Sequence, residues 1–204
     1  KGLAEGNLRQ QNTPRTRSRE GVHSALERVR QAARKDRKVR FTALLHHIYS
    51  PETLRAAYFS LKREAAPGVD GETWRHYRKA LEEHLRDLSG RLKRGAYRAK
   101  PVRRVFIPKA DGRQRPLGVT ALEDKIVQMG MTRILEAIFE GAFLEISYGF
   151  RPGRSCHQAL NALDKTIMTR AVNFVIDADI EKFFDSVDHK KLMGCLEKRI
   201  ADPN

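Results

Sequence analysis

Residues 174–185 constrain the fold of this chain more than any other stretch. Phe174, Ile176, Ala178 and Ile180 alternate with Val175, Asp177 and Asp179, and a period of two sends successive side chains to opposite faces of a strand. The spacing predicts a strand over 174–180 with one apolar face in the core and with Asp177 and Asp179 together on the other. Two carboxylates at i and i+2 on a largely buried strand repel each other and are costly to desolvate. A divalent cation removes that cost, and carboxylate oxygens are hard ligands suited to magnesium. Two plainer readings stand beside this one. The pair can end a strand at the surface and accept hydrogen bonds, and Asp-x-Asp pairs also occur in sugar-nucleotide transferases.

Charge narrows the choice of partner. Forty Lys and Arg against 25 Asp and Glu leave a formal charge of +15 among 204 residues. A surplus of this size favours a polyanion, of which phosphate backbones are the commonest; the alternative is an ordinary solvated basic surface. The chain is 40% hydrophobic, too much for a fully disordered polymer and enough for a real core at this length. Cys156 and Cys195 form no Cys-x-x-Cys pair, which excludes a cysteine-built zinc site and gives no disulfide framework. A reducing cytoplasm fits that usage. No apolar run approaches the roughly 18–20 residues of a membrane span and no signal-peptide core is present, so no membrane partner is expected. The opening Lys1 and the closing Asp202-Pro203-Asn204 read as ends cut from something longer.

Local patterns divide the chain. Residues 1–20 carry Arg15, Arg17 and Arg19 among polar residues and read as a flexible basic arm. Val22, Leu26 and Val29 recur at helical spacing, and the cluster Arg34-Lys35 with Arg37-Lys38 closes that helix. Two more helices are expected over 41–49 and 51–63, the second opened by Ser50 as N-cap and Pro51 in the first turn. Pro67-Gly68-Val69-Asp70-Gly71 is turn chemistry. Tyr77, Leu81, Leu85, Leu88 and Leu92 mark one face of a long helix that Gly95 should stop, and Trp74 should anchor it. His46-His47 beside an apolar helix reads as structural rather than as a metal pair.

Arg103–Pro108 and Arg115–Val119 then flank an Asp111-Gly112 turn and predict a hairpin. A helix of about twenty residues follows from Ala121. Ser147–Ser155 is a Gly/Pro/Arg loop, a helix runs on to about Arg170, and Asp188 caps a last helix carrying Leu192, Leu196 and Ile200. A hairpin presenting Lys109 and Arg115 makes a cationic clamp of the sort a triphosphate needs, since Lys supplies a point charge and Arg a bidentate fork. An isolated pair of this kind is equally consistent with ordinary surface charge. In the 147–155 loop, Arg151 and Arg154 are either phosphate contacts, with Tyr148 or Phe150 packing on sugar or base, or exposed arginines on a buried Tyr-Gly-Phe turn.

Four of these stretches, in order across 65–189, resemble the reverse transcriptases encoded by bacterial group II introns. They are Ala65–Gly71, the hairpin string Ile107–Leu117, the loop Ser147–Ser155, and Asp179-Ile180-Glu181-Lys182-Phe183-Phe184-Asp185. The last resembles the family's first catalytic motif, an Asp followed five residues later by an aromatic and six later by another Asp. The resemblance implies an α+β right-hand polymerase fragment: helical fingers with a β-hairpin and an incomplete palm. It divides the chain into an arm over 1–20, a helical leader over 21–64, fingers over 65–173 and the start of the palm over 174–204. It implies RNA-directed DNA synthesis with Mg2+, RNA (intron and template) and a DNA primer or target as partners, and deoxynucleoside triphosphates as substrates. Asp179 would be the catalytic, metal-binding carboxylate, helped by the carbonyl of Ile180. Phe184 would be the gate under the incoming sugar, and Lys109 and Arg115 would hold the triphosphate. Arg151 and Arg154 would touch nucleic acid, Asp177 is a neighbour without an assigned role, and Asp185 would make structural hydrogen bonds.

The resemblance departs in one respect. The family's second catalytic motif, a Tyr-x-Asp-Asp turn, is absent from these 204 residues, so Asp179 lacks the two carboxylates that complete a two-metal site. A non-catalytic RNA-binding module and a reverse transcriptase serving defence or diversification are the rival readings. Intron RNA binding with a part in splicing and mobility rests on kinship alone.

Overall fold

A computed structural model describes residues 14–203 apart from 109 and 111, with side chains from residue 25 onward. The first helix, α1, is Pro14–Lys35. It begins earlier than the sequence suggests, so residues 14–20, read as arm, are helical; residues 1–13 of that expected arm lie outside the described residues. Val29 and Ala33 are buried on its inner side, and Arg34 and Lys35 stand in its last turn, where cations complement the carbonyl end of a helix.

Two short helices come next, α2 over Leu45–Tyr49 and α3 over Pro51–Ser60. Pro51 takes the first turn as expected. Ser50 does not cap with its side chain: its hydroxyl donates to the Glu52 carboxylate at 2.6 Å. The long helix expected around Tyr77–Leu92 is broken in two. α4 is Trp74–Tyr77, a 3₁₀ turn covers Arg78–Ala80, and α5 is Leu81–Lys93. The break falls at Ala80, whose ψ of 39° leaves the helical range. Gly95, at φ 66°, stops α5 as its residue type predicts, because only glycine enters that region without a Cβ penalty.

Strands β1 (Arg103–Pro108) and β2 (Gln114–Val119) form the antiparallel hairpin, in register from Arg103 opposite Val119 to Pro108 opposite Gln114. After it come α6 (Leu122–Phe139), α7 (Cys156–Thr169), α8 (Phe183–Ser186) and α9 (His189–Glu197). Ser155 opens α7 with a reciprocal capping box to Gln158, and Asp188 caps α9 by accepting from Lys191 N. α9 ends at Glu197, so Ile200, expected on that helix, instead forms a β-bridge with Phe41.

α6 is the spine. Ile126 and Val127 near its start join Leu54, Tyr58, Trp74, Leu85 and Leu88 in one core cluster. Ile134 and Ile138 near its end join Val29, Leu44 and Ile48 in a second. Each fully buried aliphatic side chain contributes roughly 1.5–3 kcal/mol. Trp74 anchors this body as expected: its ring stacks on Tyr58 with centroids 4.7 Å apart, the Tyr58 hydroxyl donates to Trp74 O at 2.7 Å, and Trp74 Nε1 donates to Tyr58 O at 3.2 Å. Helix-rich with one small hairpin, the described residues have the α+β content that the sequence implies.

Residues 199–202 close the N-terminal end of the body. Arg199, buried, donates from Nε to Val39 O and from Nη2 to Ala33 O and Asp36 O, which satisfies carbonyls at and just past the end of α1. The Asp202 carboxylate accepts from the N–H groups of Leu44 and Leu45 at the start of α2.

The strand expected over 174–180 is corrected. Among the described residues the β1–β2 hairpin is the only sheet, and 171–180 carries no helix or ladder. Alternation assigns faces, but a strand also needs a neighbour for its N–H and C=O groups. Nor does the apolar face lie in a core: Phe174 is 88% exposed and Ile176 90%. None of the residues of α7 is buried either.

Candidate functional site

Asp177 and Asp179 therefore stand on an exposed, unpaired stretch. The residues just beyond them are shaped more tightly. Lys182 sits in the left-handed region at φ 49°, ψ 40°, a conformation that costs a non-glycine residue about 1 kcal/mol. It turns the chain abruptly into α8, where the N–H groups of Asp185 and Ser186 both donate to Lys182 O at 3.0 Å. That turn leaves Phe184 83% exposed, with its ring edge-on to Phe183 at 5.3 Å between centroids. Asp185 contributes to the turn through its backbone.

Oxygen donors from Asp179 and Ile180 are of the right chemistry for a hard divalent cation. Three or more metal-ligating side chains are nowhere gathered among the described residues, so this segment would supply one part of such a site.

On the hairpin, Arg115 pairs across with Ile107 and is exposed. Lys109 lies outside the described residues. The strands are exposed along nearly all their length, with Val105 half-buried and only Val119 buried. No hydrogen bond or ion pair among the described residues ties Arg115 to the 177–185 segment.

The loop over 147–155 holds its two arginines in different ways. Arg151 is turned inward, its side chain 6% exposed. Nε and Nη2 donate to Glu140 Oε1 at 3.1 and 2.7 Å, Nη1 donates to the carbonyls of Leu144 and Ser147, and the guanidinium lies 5.1 Å from the centre of the Phe143 ring. A fork so committed organises the loop. Arg154 donates from Nη2 to the Glu145 carboxylate and lies 5.5 Å from the Tyr148 ring centre; this pair raises the Arg154 pKa and lowers that of Glu145. Phe150 faces outward, fully exposed and held at φ 54°, while Tyr148 is half-buried.

Sequence reasoning passed over a cluster at the root of the hairpin. Asp124, in the first turn of α6, is only 3% exposed. It accepts from the Tyr97 hydroxyl and, at 3.1 Å, from Lys100 N. Beside it Glu123 accepts both contacts of Arg91 Nη2 at 2.9 Å and one from the Tyr77 hydroxyl. Burial, with Glu123 next in weight, pushes the Tyr77 phenol well above its ordinary range; burial and Asp124 do the same to Tyr97. The only sequence signal was two acids opening a helix, a common favourable placement.

Basic groups are dense elsewhere. Arg34, Lys35, Arg37 and Lys38 are all exposed around the end of α1. No helix of the described residues is long and apolar enough to cross a membrane.

Comparison with known proteins bears on the same stretches. Residues 107–204 match the family described as reverse transcriptase (RNA-dependent DNA polymerase). The chain is 40% identical to Protein YkfC of Escherichia coli strain K12 over 82% of its length, covering 45% of that protein. It is 33% identical to Group II intron-encoded protein LtrA of Lactococcus lactis subsp. cremoris over 87% of its length, covering 29% of that protein. A shorter similarity, 33% over 39% of the chain and 11% of the relative, is to Nuclear intron maturase 1, mitochondrial, of Arabidopsis thaliana. The chain thus spans less than half the length of these curated relatives.

Proposed function

We propose, because residues 107–204 match the reverse transcriptase family and the chain is similar to a group II intron-encoded protein, that the protein it forms part of copies RNA into DNA. The observation that carries this reading is the Asp179-to-Asp185 run, which lies inside the matched residues and is folded so that Asp179 and Phe184 are both exposed. Simple RNA binding would need neither a carboxylate nor an aromatic at those positions. Residues 65–173 would be the fingers and 174–204 the opening of the palm.

In this reading Asp179 and the Ile180 carbonyl hold Mg2+, with further ligands contributed from outside the described residues. The metal would stabilise the attacking and leaving oxygens of phosphoryl transfer. Phe184 excludes a 2′-hydroxyl by bulk, and Lys109 and Arg115 bind the triphosphate of the incoming deoxynucleotide. Arg154 and the cluster at the end of α1 approach RNA phosphates, while Arg151 serves the nucleic acid indirectly by holding the loop that presents Phe150 and Arg154. The names of LtrA and of the Arabidopsis maturase favour intron RNA as one partner. The pair of unlinked, exposed cysteines suits a reducing bacterial cytoplasm.

Primer extension on an RNA template by the full-length protein, wild type against Asp179→Asn, tests this. Template-dependent synthesis lost in the variant, with RNA affinity retained, supports it. A wild-type protein that binds RNA but extends no primer would make it a non-catalytic RNA-binding module instead.

A further inference from the structure

We propose that the turn over 65–71 sets the angle of the β1–β2 hairpin, with Asp70 as its positioning residue, and so fixes where Arg115 stands relative to the nucleotide. The functional half of this rests on the reading given under Proposed function. The geometric half rests on contacts at the hairpin root alone.

A hairpin whose strands are exposed almost throughout has no core along its length to orient it, so its direction is decided where it joins the body. The turn grips both joining segments. On the side entering β1, Lys100 Nζ donates to Asp70 Oδ2 at 2.9 Å and Arg103 Nη2 donates to Pro67 O at 2.8 Å. On the side leaving β2, the turn meets the chain backbone to backbone. A Cβ on Gly68 would lie 2.6 Å from both Cα and N of Ala121 and 2.9 Å from the carbonyl carbon of Thr120. Only a glycine permits that approach. Lys125 Nζ donates to Ala66 O at 2.8 Å, tying the turn to α6 as well.

Asp70 has a second duty inside the turn, accepting from Glu72 N through Oδ1 at 3.1 Å, while Gly71 N donates to Gly68 O at 3.3 Å. One carboxylate thus couples the shape of the turn to the entry of β1. Lys100 is in turn fixed to α6, since its N–H donates to buried Asp124.

A six-residue strand is roughly 20 Å long, so a tilt of about 10° at the root moves the tip by about 3 Å. A hydrogen bond to a charged group is worth about 1.5–3 kcal/mol, so an Arg115 moved out of reach of its phosphate weakens nucleotide binding about tenfold or more. The exposed Asp70–Lys100 pair itself contributes only about 0–1 kcal/mol to stability, so its loss alters geometry without unfolding the chain.

Two measurements test the proposal. On the purified chain, Asp70→Ala should speed amide hydrogen exchange at 101–105 and 117–121 and leave α5 and α6 unchanged. In steady-state extension by the full-length protein, the same substitution should raise the KM for deoxynucleotide about tenfold, with kcat and primer–template affinity changed less than about twofold. Lys100→Ala should reproduce both effects, and the exchange Asp70→Lys with Lys100→Asp should bring KM part of the way back, because it restores the ion pair but not the acceptor for Glu72 N. Gly68→Ala, which forces the turn and Ala121 apart, should raise the same KM. Unchanged exchange at the root overturns the anchor, and faster exchange with an unchanged KM overturns its bearing on the nucleotide. If the wild-type full-length protein makes no DNA, the reading under Proposed function fails, while hydrogen exchange still decides the anchor.

Discussion

Arg55 on α3 grips Glu82 on α5 with its whole fork: Nε donates to Oε1 at 2.9 Å and Nη2 to Oε2. This bidentate pair crosses between two helices that also share the apolar cluster beneath it. The Arg55 hydrogen bond holds the Glu82 carboxyl below its ordinary 4.5, against a smaller opposing effect of burial.

The sign of that shift sets the pH dependence. A carboxyl lowered in the folded state stabilises the fold fully above its unfolded value and loses that stabilisation as pH falls through the folded value. Thermal melts should therefore be flat from about pH 7 to about pH 5 and decline below that. Glu82→Gln should cost about 0.5–1 kcal/mol at neutral pH, since the pair is partly exposed, and should shrink the acid decline. An acid decline as steep in the variant as in the wild type would assign it to other carboxylates.

Arg199 gives a larger effect. Its buried guanidinium is satisfied by backbone carbonyls at the end of α1 and in the linker after it. Arg199→Ala removes the donor and leaves those carbonyls short of partners, so urea unfolding should show a loss of about 2–3 kcal/mol. Arg199→Lys, which keeps the charge but not the fork, should recover part of it. Arg170→Ala, at an exposed position, should change stability by less than about 0.5 kcal/mol. Equal effects at 170 and 199 would contradict the assigned role of the Arg199 contacts.

If the exposed Phe184 ring excludes a 2′-hydroxyl by size as proposed, Phe184→Ala in the full-length protein should increase ribonucleotide incorporation in competition with deoxynucleotides. Since the ring touches Phe183 rather than a core, folding should be unaffected. Discrimination identical to the wild type would remove Phe184 from the site.

RNA affinity should fall steeply with salt. Each phosphate neutralised on a single strand contributes about −0.7 to the slope of log affinity against log salt. Fluorescence anisotropy on the chain should give a slope of about −3.5 or steeper if at least about five phosphates are engaged. Changing Arg34, Lys35, Arg37 and Lys38 together to Gln should flatten it by about 0.7 for each phosphate released. Arg151→Ala should instead disorder the 143–155 loop, visible as faster amide exchange there, with the slope nearly unchanged. A slope near zero in the wild type would leave the positive charge as a solvated surface.

Features written in local chemistry were legible from sequence: the hairpin, the Gly95 stop, the Asp188 cap and the Trp74 anchor. Features that depend on the partner lying opposite a residue were not. Alternation over 174–180 indicates a strand only if another strand is there to pair with it. Nothing in the sequence around Arg151 shows that Glu140 and two carbonyls hold its guanidinium. Asp70 and Asp124 carry no signal beyond turn and helix-start preferences, because their partners lie 30 and 24 positions away. The roles of Asp179, Ile180, Phe184, Lys109 and Arg115 come from family resemblance, because a carboxylate pair and a cationic hairpin name no substrate by themselves.

The bridge between Phe41 and Ile200, with its two backbone hydrogen bonds of 2.8 Å, also sets a schedule for synthesis. A chain emerging from the ribosome at about 5–20 residues per second can form α1, α2 and α3 early. It cannot seal their ends until residue 202 has been translated, several seconds to about half a minute later. Joining segments so distant in sequence also carries the closure entropy of a long loop, which topology-dependent folding rates register as slow steps. During that interval the carbonyls at the end of α1 and the N–H groups opening α2 wait for the partners that Arg199 and Asp202 bring.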